Sequence, residues 1–218
     1  MAPSQDIYLV GNIASGKTTL AKLLAEHIPG SVYVPEPYER NPFLPLYLQD
    51  QQRWAFTSTL RYYMDYVQVL SEQKTANPQG QYFFIDAGSW SNALLYARYA
   101  AGEGMMTPQE YAFYREACRV FDIAYPQPQP AAFIFISASP EICYQRMRGR
   151  GWGFQQNVVQ VSYLMKLDEY LLEMKRSLLE MGVKVLEISS EGIPFHRPDG
   201  IDAVLAWAKS NLSAITLS

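Results

Sequence analysis

The 218-residue sequence predicts an α/β protein, a five-stranded parallel sheet with helices on both faces. Three observations lead there. An octet reading GNIASGKT, residues 11–18, joins a β-rich run to an amphipathic one. Two uninterrupted apolar runs, YFFI at 82–85 and AAFIFI at 131–136, have the composition of strands covered on both sides. Helical periodicity alternates with the strand-like runs, and such strand–helix–strand units close right-handed into a parallel sheet.

Residues 6–10 (DIYLV) form the first predicted strand, and 17–27 (KTTLAKLLAEH) the first helix, with Leu20, Leu23 and Leu24 on one face. Residues 32–34 are a second, short strand. Pro37, Pro42 and Pro45 exclude a continuous helix from the segment EPYERNPFLPLY. A long helix is predicted over about 51–75, because Trp54, Leu60, Tyr63, Tyr66, Val67 and Leu70 recur at three- and four-residue steps; NPQG at 77–80 stops it. The YFFI strand ends at Asp86. Helices follow over about 89–101 and 107–124, the second opened by a capping box of Thr107 and Glu110 with Pro108 in its first turn. After the AAFIFI strand, Ser139 and Pro140 start a helix reaching about residue 149, and RGRGWGFQQ is a glycine-rich connection. Residues 158–181 read as an amphipathic helix with Val161, Leu164, Leu167, Leu171, Met174, Leu178 and Met181 on one face. Residues 183–188 supply the fifth strand and about 199–211 a closing helix. No repeat or low-complexity tract competes, and the length suits one domain spanning 1–218.

Composition narrows the function. With 49% hydrophobic and 18% charged residues the chain is globular. A net charge of -3 and a pI near 5.5 argue against a surface that recruits nucleic acid polymers, so a small-molecule partner is expected. No apolar run approaches a membrane span and MAPSQD lacks the features of a signal peptide, which predicts a cytoplasmic protein with no membrane partner. Cys118 and Cys143 read as buried thiols; two His and two Cys suggest neither a zinc set nor a disulfide framework.

The octet fits GxxxxGK[ST], the phosphate loop or P-loop. Its glycines let the backbone curl so that several N–H groups and a helix N-terminus converge on one anion. Chance produces the pattern in about one chain of this length in a hundred, and its place between strand and helix makes chance rarer still. The expected nucleotide contacts are Gly11, Asn12, Ile13, Ala14, Ser15, Gly16, Lys17, Thr18 and Thr19, with Lys17 on the β- and γ-phosphates and the Thr18 hydroxyl on Mg²⁺. ATP or GTP follows as the ligand, on a P-loop NTPase fold.

Two carboxylates end predicted strands at the edge where ligands of open α/β sheets collect. Asp86 reads either as a group near Mg²⁺ or its waters, or as a polar strand end. Glu36 reads either as a general base taking a proton from an attacking hydroxyl, or as a solvated loop carboxylate. Arg146, Arg148 and Arg150 suit a lid closing over the γ-phosphate; cations at a helix C-terminus are the alternative. Among the aromatics, Tyr47, Tyr62, Tyr63, Tyr66 and Trp90 are candidates for an acceptor pocket or for the core.

Together these residues resemble the deoxynucleoside kinases, in particular the bacterial deoxyadenosine/deoxyguanosine kinase type. VPEPYERNPFLPLY at 34–47, RWAF at 53–56, RMRGRG at 146–151 and YLMKLDEY at 163–170 carry the resemblance. It implies an ATP-dependent transfer of the γ-phosphate to a hydroxyl of a nucleoside-like molecule, with Glu36 as base, a lid over about 146–157 and, commonly, a homodimer. Contacts to the adenine of ATP would fall in 189–198, near Phe195 and His196. The departures cluster on the acceptor side. Thr59 stands where the family has a base-pairing glutamine, and Tyr66 where it has an arginine. Asp86, Ala87 and Gly88 stand where it has Asp/Glu-Arg-Ser; Trp152 replaces the last lid arginine, and Gln155 falls at the lid glutamate. Arg61, one turn from Thr59, either replaces a lost guanidinium or is a surface residue. Loss of groups that read a base alters discrimination without touching the phosphate donor. Two other functions stay open on sequence: a catalytically weak ATP-binding module, and a nucleoside monophosphate kinase, which would need additional cations in the acceptor pocket.

Overall fold

The computed structural model describes residues 4–149, 159–193 and 195–216. Five strands, β1 (Gln5–Gly11), β2 (Ser31–Val34), β3 (Tyr82–Asp86), β4 (Ala132–Ser137) and β5 (Val185–Ser189), form a sheet in the order β2-β3-β1-β4-β5. All pairings are parallel. β1 is central, and its registers, Leu9 with Asp86 and Gly11 with Ile136, bring the carboxyl ends of three strands to one edge.

Because side chains alternate along a strand, β1 feeds two cores. Ile7 and Leu9 pack on one face with Leu20 and Leu24 of α1 (Lys17–His27) and Val204, Ala208 and Leu212 of the closing helix. Tyr8 and Val10 pack on the other with Leu70, Leu95, Leu167 and Met174. The predicted apolar runs are covered beyond their half-buried first residues: Phe83, Phe84, Phe133 and Ile134 are each at most 1% exposed.

The proline-rich segment holds more structure than expected. Tyr38–Arg40 is a 3-10 turn and α2 (Leu44–Gln49) is a short helix, with Pro45 in its first turn, where no intrahelical N–H is needed. Asp50 then caps α3 (Gln51–Ala76) by accepting the Arg53 N–H. The helix predicted over 89–101 is α4 (Gly88–Ser91), a π-turn (Asn92–Tyr96) and α5 (Ala97–Gly102) in succession. The capping box of Thr107 and Glu110 opens α6 (Pro108–Ala124) as the residues required. α7 (Pro140–Gly149), α8 (Val161–Glu180) and α9 (Pro198–Thr216) complete the chain. Leu164, Leu167, Leu171, Met174 and Leu178 are buried as predicted, whereas Met181 lies past the helix end and is exposed. Cys118 and Cys143 are buried free thiols.

Candidate active site

The phosphate loop connects β1 to α1 at the carboxyl edge of the sheet. At Gly11 a Cβ would stand 2.6 Å from the Ile136 carbonyl oxygen, so only glycine lets the loop leave β1 this close to β4. Gly16, with φ +109, takes the left-handed turn that starts α1. Lys17 is buried, and its Nζ donates to the Gly11 and Asn12 carbonyls at 3.1 and 2.9 Å. Thr18 Oγ1 donates to Asp86 Oδ2 at 2.5 Å, which joins the loop to the end of β3. Thr19 sits half-buried in the same first helical turn.

The loop forms one wall of a cavity of about 150 Å³, through Ile13, Ala14, Gly16, Lys17 and Thr18. Glu36, just past β2, faces it. Tyr47 comes from α2, Thr59, Tyr62 and Tyr66 from α3, Asn92 and Tyr96 from the π-turn, and Tyr163 from α8. Glu36 keeps some surface toward this space, yet the dense protein around it pushes its pKa up to about 7. Desolvation is the main cause and the nearby Asp86 charge the next, opposed by Lys17 and by a hydrogen bond from the Tyr66 hydroxyl. Burial and the Glu36 charge hold Tyr62, Tyr66 and Tyr96 well above the usual phenol range, so they stay neutral hydrogen-bonding groups. Tyr62 and Tyr66 stack with centroids 5.7 Å apart.

Other residues singled out in the sequence fall elsewhere. Trp90 packs edge-on to Phe133 beside the sheet, and Tyr63 packs against Tyr114 while donating to Asp122. Arg61 pairs with Asp65 at 2.8 Å, so its guanidinium replaces nothing in the cavity. Arg146 reaches behind the loop, donating to Ser190 Oγ and O at 2.8 Å and to the Ser15 carbonyl at 3.4 Å. Arg148 lies over the Tyr144 ring. Phe195 is buried with its ring against Gly16, and His196 is exposed. Arg150, Trp152 and Gln155 lie outside the described residues, as does most of the expected lid.

A family model for deoxynucleoside kinases matches residues 7–204. The chain belongs to the deoxynucleoside kinase family. As a member it is a kinase that transfers the γ-phosphate of ATP to a hydroxyl of a nucleoside. It is 27% identical over 195 residues to a probable deoxycytidine kinase of fowlpox virus, covering 85% of this chain and 79% of that one. It is 27% identical over 145 residues to a deoxyadenosine/deoxycytidine kinase of Bacillus subtilis (66% and 65% covered). A deoxyadenosine kinase of Lactobacillus acidophilus is 28% identical over 158 residues (70% and 69% covered).

This deoxynucleoside kinase family member also holds site residues and contacts that sequence reading missed. Tyr163, inside the matched YLMKLDEY run, lines the cavity and bonds to Tyr47. Asn12 donates from Nδ2 to the Leu164 carbonyl at 2.8 Å and to Asp168 Oδ1 at 2.7 Å, fastening the phosphate loop to α8. Asn92 and Tyr96 reach the cavity through a π-turn, a distortion that hydrophobic periodicity does not reveal.

Proposed function

We propose that Glu36 is the general base of this kinase and accepts the proton of the attacking hydroxyl as the phosphoryl group leaves ATP. One observation carries the reading: Glu36 shares a cavity with Lys17 and Thr18, and its carboxyl titrates near 7, where a base is ionised yet retains proton affinity. The phosphate-loop residues 11–19 hold the donor. Lys17, with Arg146 and Arg150 of a lid over about 146–157, offsets the charge of the transferring group. Tyr47, Thr59, Tyr66 and Asp86 border the acceptor, within a single kinase domain spanning 1–218.

Thr18 and Asp86 suit Mg²⁺. A hydroxyl and a carboxylate already in contact are hard oxygen donors, and Mg²⁺ commonly takes one or two protein oxygens, completing its shell with phosphate and water. When bound, the ion would screen the phosphate charge. Among the described lining residues Lys17 is the lone cation, which disfavours an acceptor already carrying a phosphate. The relatives' names make a deoxynucleoside the first acceptor class to try.

A homodimer is supported by α6, where Phe113, Val120 and Ile123 are 57%, 57% and 74% exposed. No helix among the described residues is long and apolar enough to cross a membrane; a cytoplasmic location rests on the kinase family alone. Glu36→Gln tests the central claim. Nucleotide binding by calorimetry should persist while acceptor-dependent ADP formation falls about a hundredfold or more. Unchanged turnover would remove Glu36 from the chemistry.

A further inference from the structure

Asn92 is 3% exposed, and what shows of it faces the cavity. Its side-chain oxygen is already engaged: the hydroxyl of Tyr114, itself 1% exposed, donates to Asn92 Oδ1 at 2.6 Å. Tyr114 cannot easily turn away, since Tyr63 meets it edge-on and Tyr111 stacks on it. The competing acceptor for its proton is the Cys118 sulfur, a far weaker one than an amide oxygen. The amide is therefore oriented, with its NH₂ directed to the cavity and unpartnered among the described residues.

The rest of the wall holds neutral groups that can turn to donate or accept, the hydroxyls of Thr59 and the tyrosines and the amide of Gln51, whereas the sense of Asn92 is fixed by Tyr114. Thr59 and Ser58 carry hydroxyls, and Ser58 Oγ already accepts from Asn41. The one carboxylate among the described lining residues is Glu36, beside the phosphate loop. With its reacting hydroxyl between Glu36 and Lys17, an acceptor would set its ring toward Tyr62, Tyr66, Tyr96 and Asn92, which line the same cavity.

We infer that Asn92, oriented by Tyr114, selects acceptors whose ring presents a carbonyl oxygen over those presenting an exocyclic amino group. The inference rests on the kinase reading above and deepens it. An oxo group accepts from Asn92 Nδ2. An amino group sets donor against donor, and a buried donor left without a partner costs about ten- to a hundredfold in kcat/KM. Asn92 is a specificity residue and Tyr114 a positioning residue acting through it. The relatives above are named for cytosine and adenine nucleosides, both amino-bearing, so this chain departs from them.

Matched pairs test it: deoxyuridine against deoxycytidine and deoxyinosine against deoxyadenosine, with Mg-ATP and ADP formation as the readout. The native protein should favour the oxo member of each pair at least tenfold in kcat/KM. Asn92→Asp, which puts an acceptor at the same point, should reverse the order. Tyr114→Phe, which frees the amide to turn over, should bring the ratio toward one while turnover continues. Preference for the amino members by the native protein overturns the inference and leaves the kinase reading standing. So does an unchanged ratio in both variants. Absence of phosphorylation of all four, and of thymidine and deoxyguanosine as well, overturns both.

Discussion

Glu36 stands between opposing influences, and its neighbours can be removed singly. A base works only when ionised, so kcat/KM should climb about tenfold per pH unit below about 7 and level off above it. The Tyr66 hydroxyl bonds to the ionised form and lowers that pKa; Tyr66→Phe should move the acid limb to higher pH. An unmoved limb would remove Tyr66 from contact with the base. At the end of β3, Ala87 has φ 61 and ψ −70, a conformation that costs a residue with a Cβ about 1–3 kcal/mol. The extra freedom of an unfolded glycine costs about 0.5–1 kcal/mol, so strain relief wins. Ala87→Gly should raise stability by about 1 kcal/mol, seen as a Tm higher by a few degrees. Gly88→Ala should do the reverse, since its Cβ would lie 2.5 Å from the Tyr8 ring.

At the scale of elements, the phosphate loop is fixed on two sides, by Arg146 of α7 and by the Asn12 contacts to α8. Asp168→Ala removes one contact of the second fastening without touching the nucleotide. ATP affinity should drop about ten- to a hundredfold, the equivalent of one charge-assisted hydrogen bond, and calorimetric titration measures it. Equal affinity would mean the loop keeps its shape unaided. How much of this could be read beforehand depended on how local the determinants are. The strands, the phosphate loop, the capping box at Thr107 and the face of α8 follow from neighbouring residues and appeared where expected. Asn92 and Tyr96 were hidden because a π-turn shifts which side chains share a face. Asn12 was read as a phosphate-loop residue, but its contact to Asp168 was hidden because that partner lies 156 residues away. α2 was read as loop because three prolines were counted as breakers, although Pro45 occupies the one helical turn that tolerates it.

For the whole molecule, stability and activity should run in opposite directions with pH. Burial raises the pKa of Glu36 and also that of Asp6, where desolvation outweighs the pairing with Lys74. Between the unfolded and the raised values the folded chain binds more protons than the unfolded one, so stability falls as pH rises toward 7. Glu72, Glu110 and Glu191 shift the other way, but they are exposed and their effect is screened. Tm should therefore rise by a few degrees from pH 8 to pH 6 while kcat/KM declines, and parallel scans and assays check the sign. The central place of β1 has a further consequence, for the ribosome. Its partner β4 is made roughly 125 residues later, which at about 5–20 residues per second leaves an apolar strand without one neighbour for roughly 6–25 seconds. The nascent chain must spend that interval shielded by chaperones or by transient local collapse, so slowed translation between β1 and β4 would be felt as lost yield of soluble enzyme.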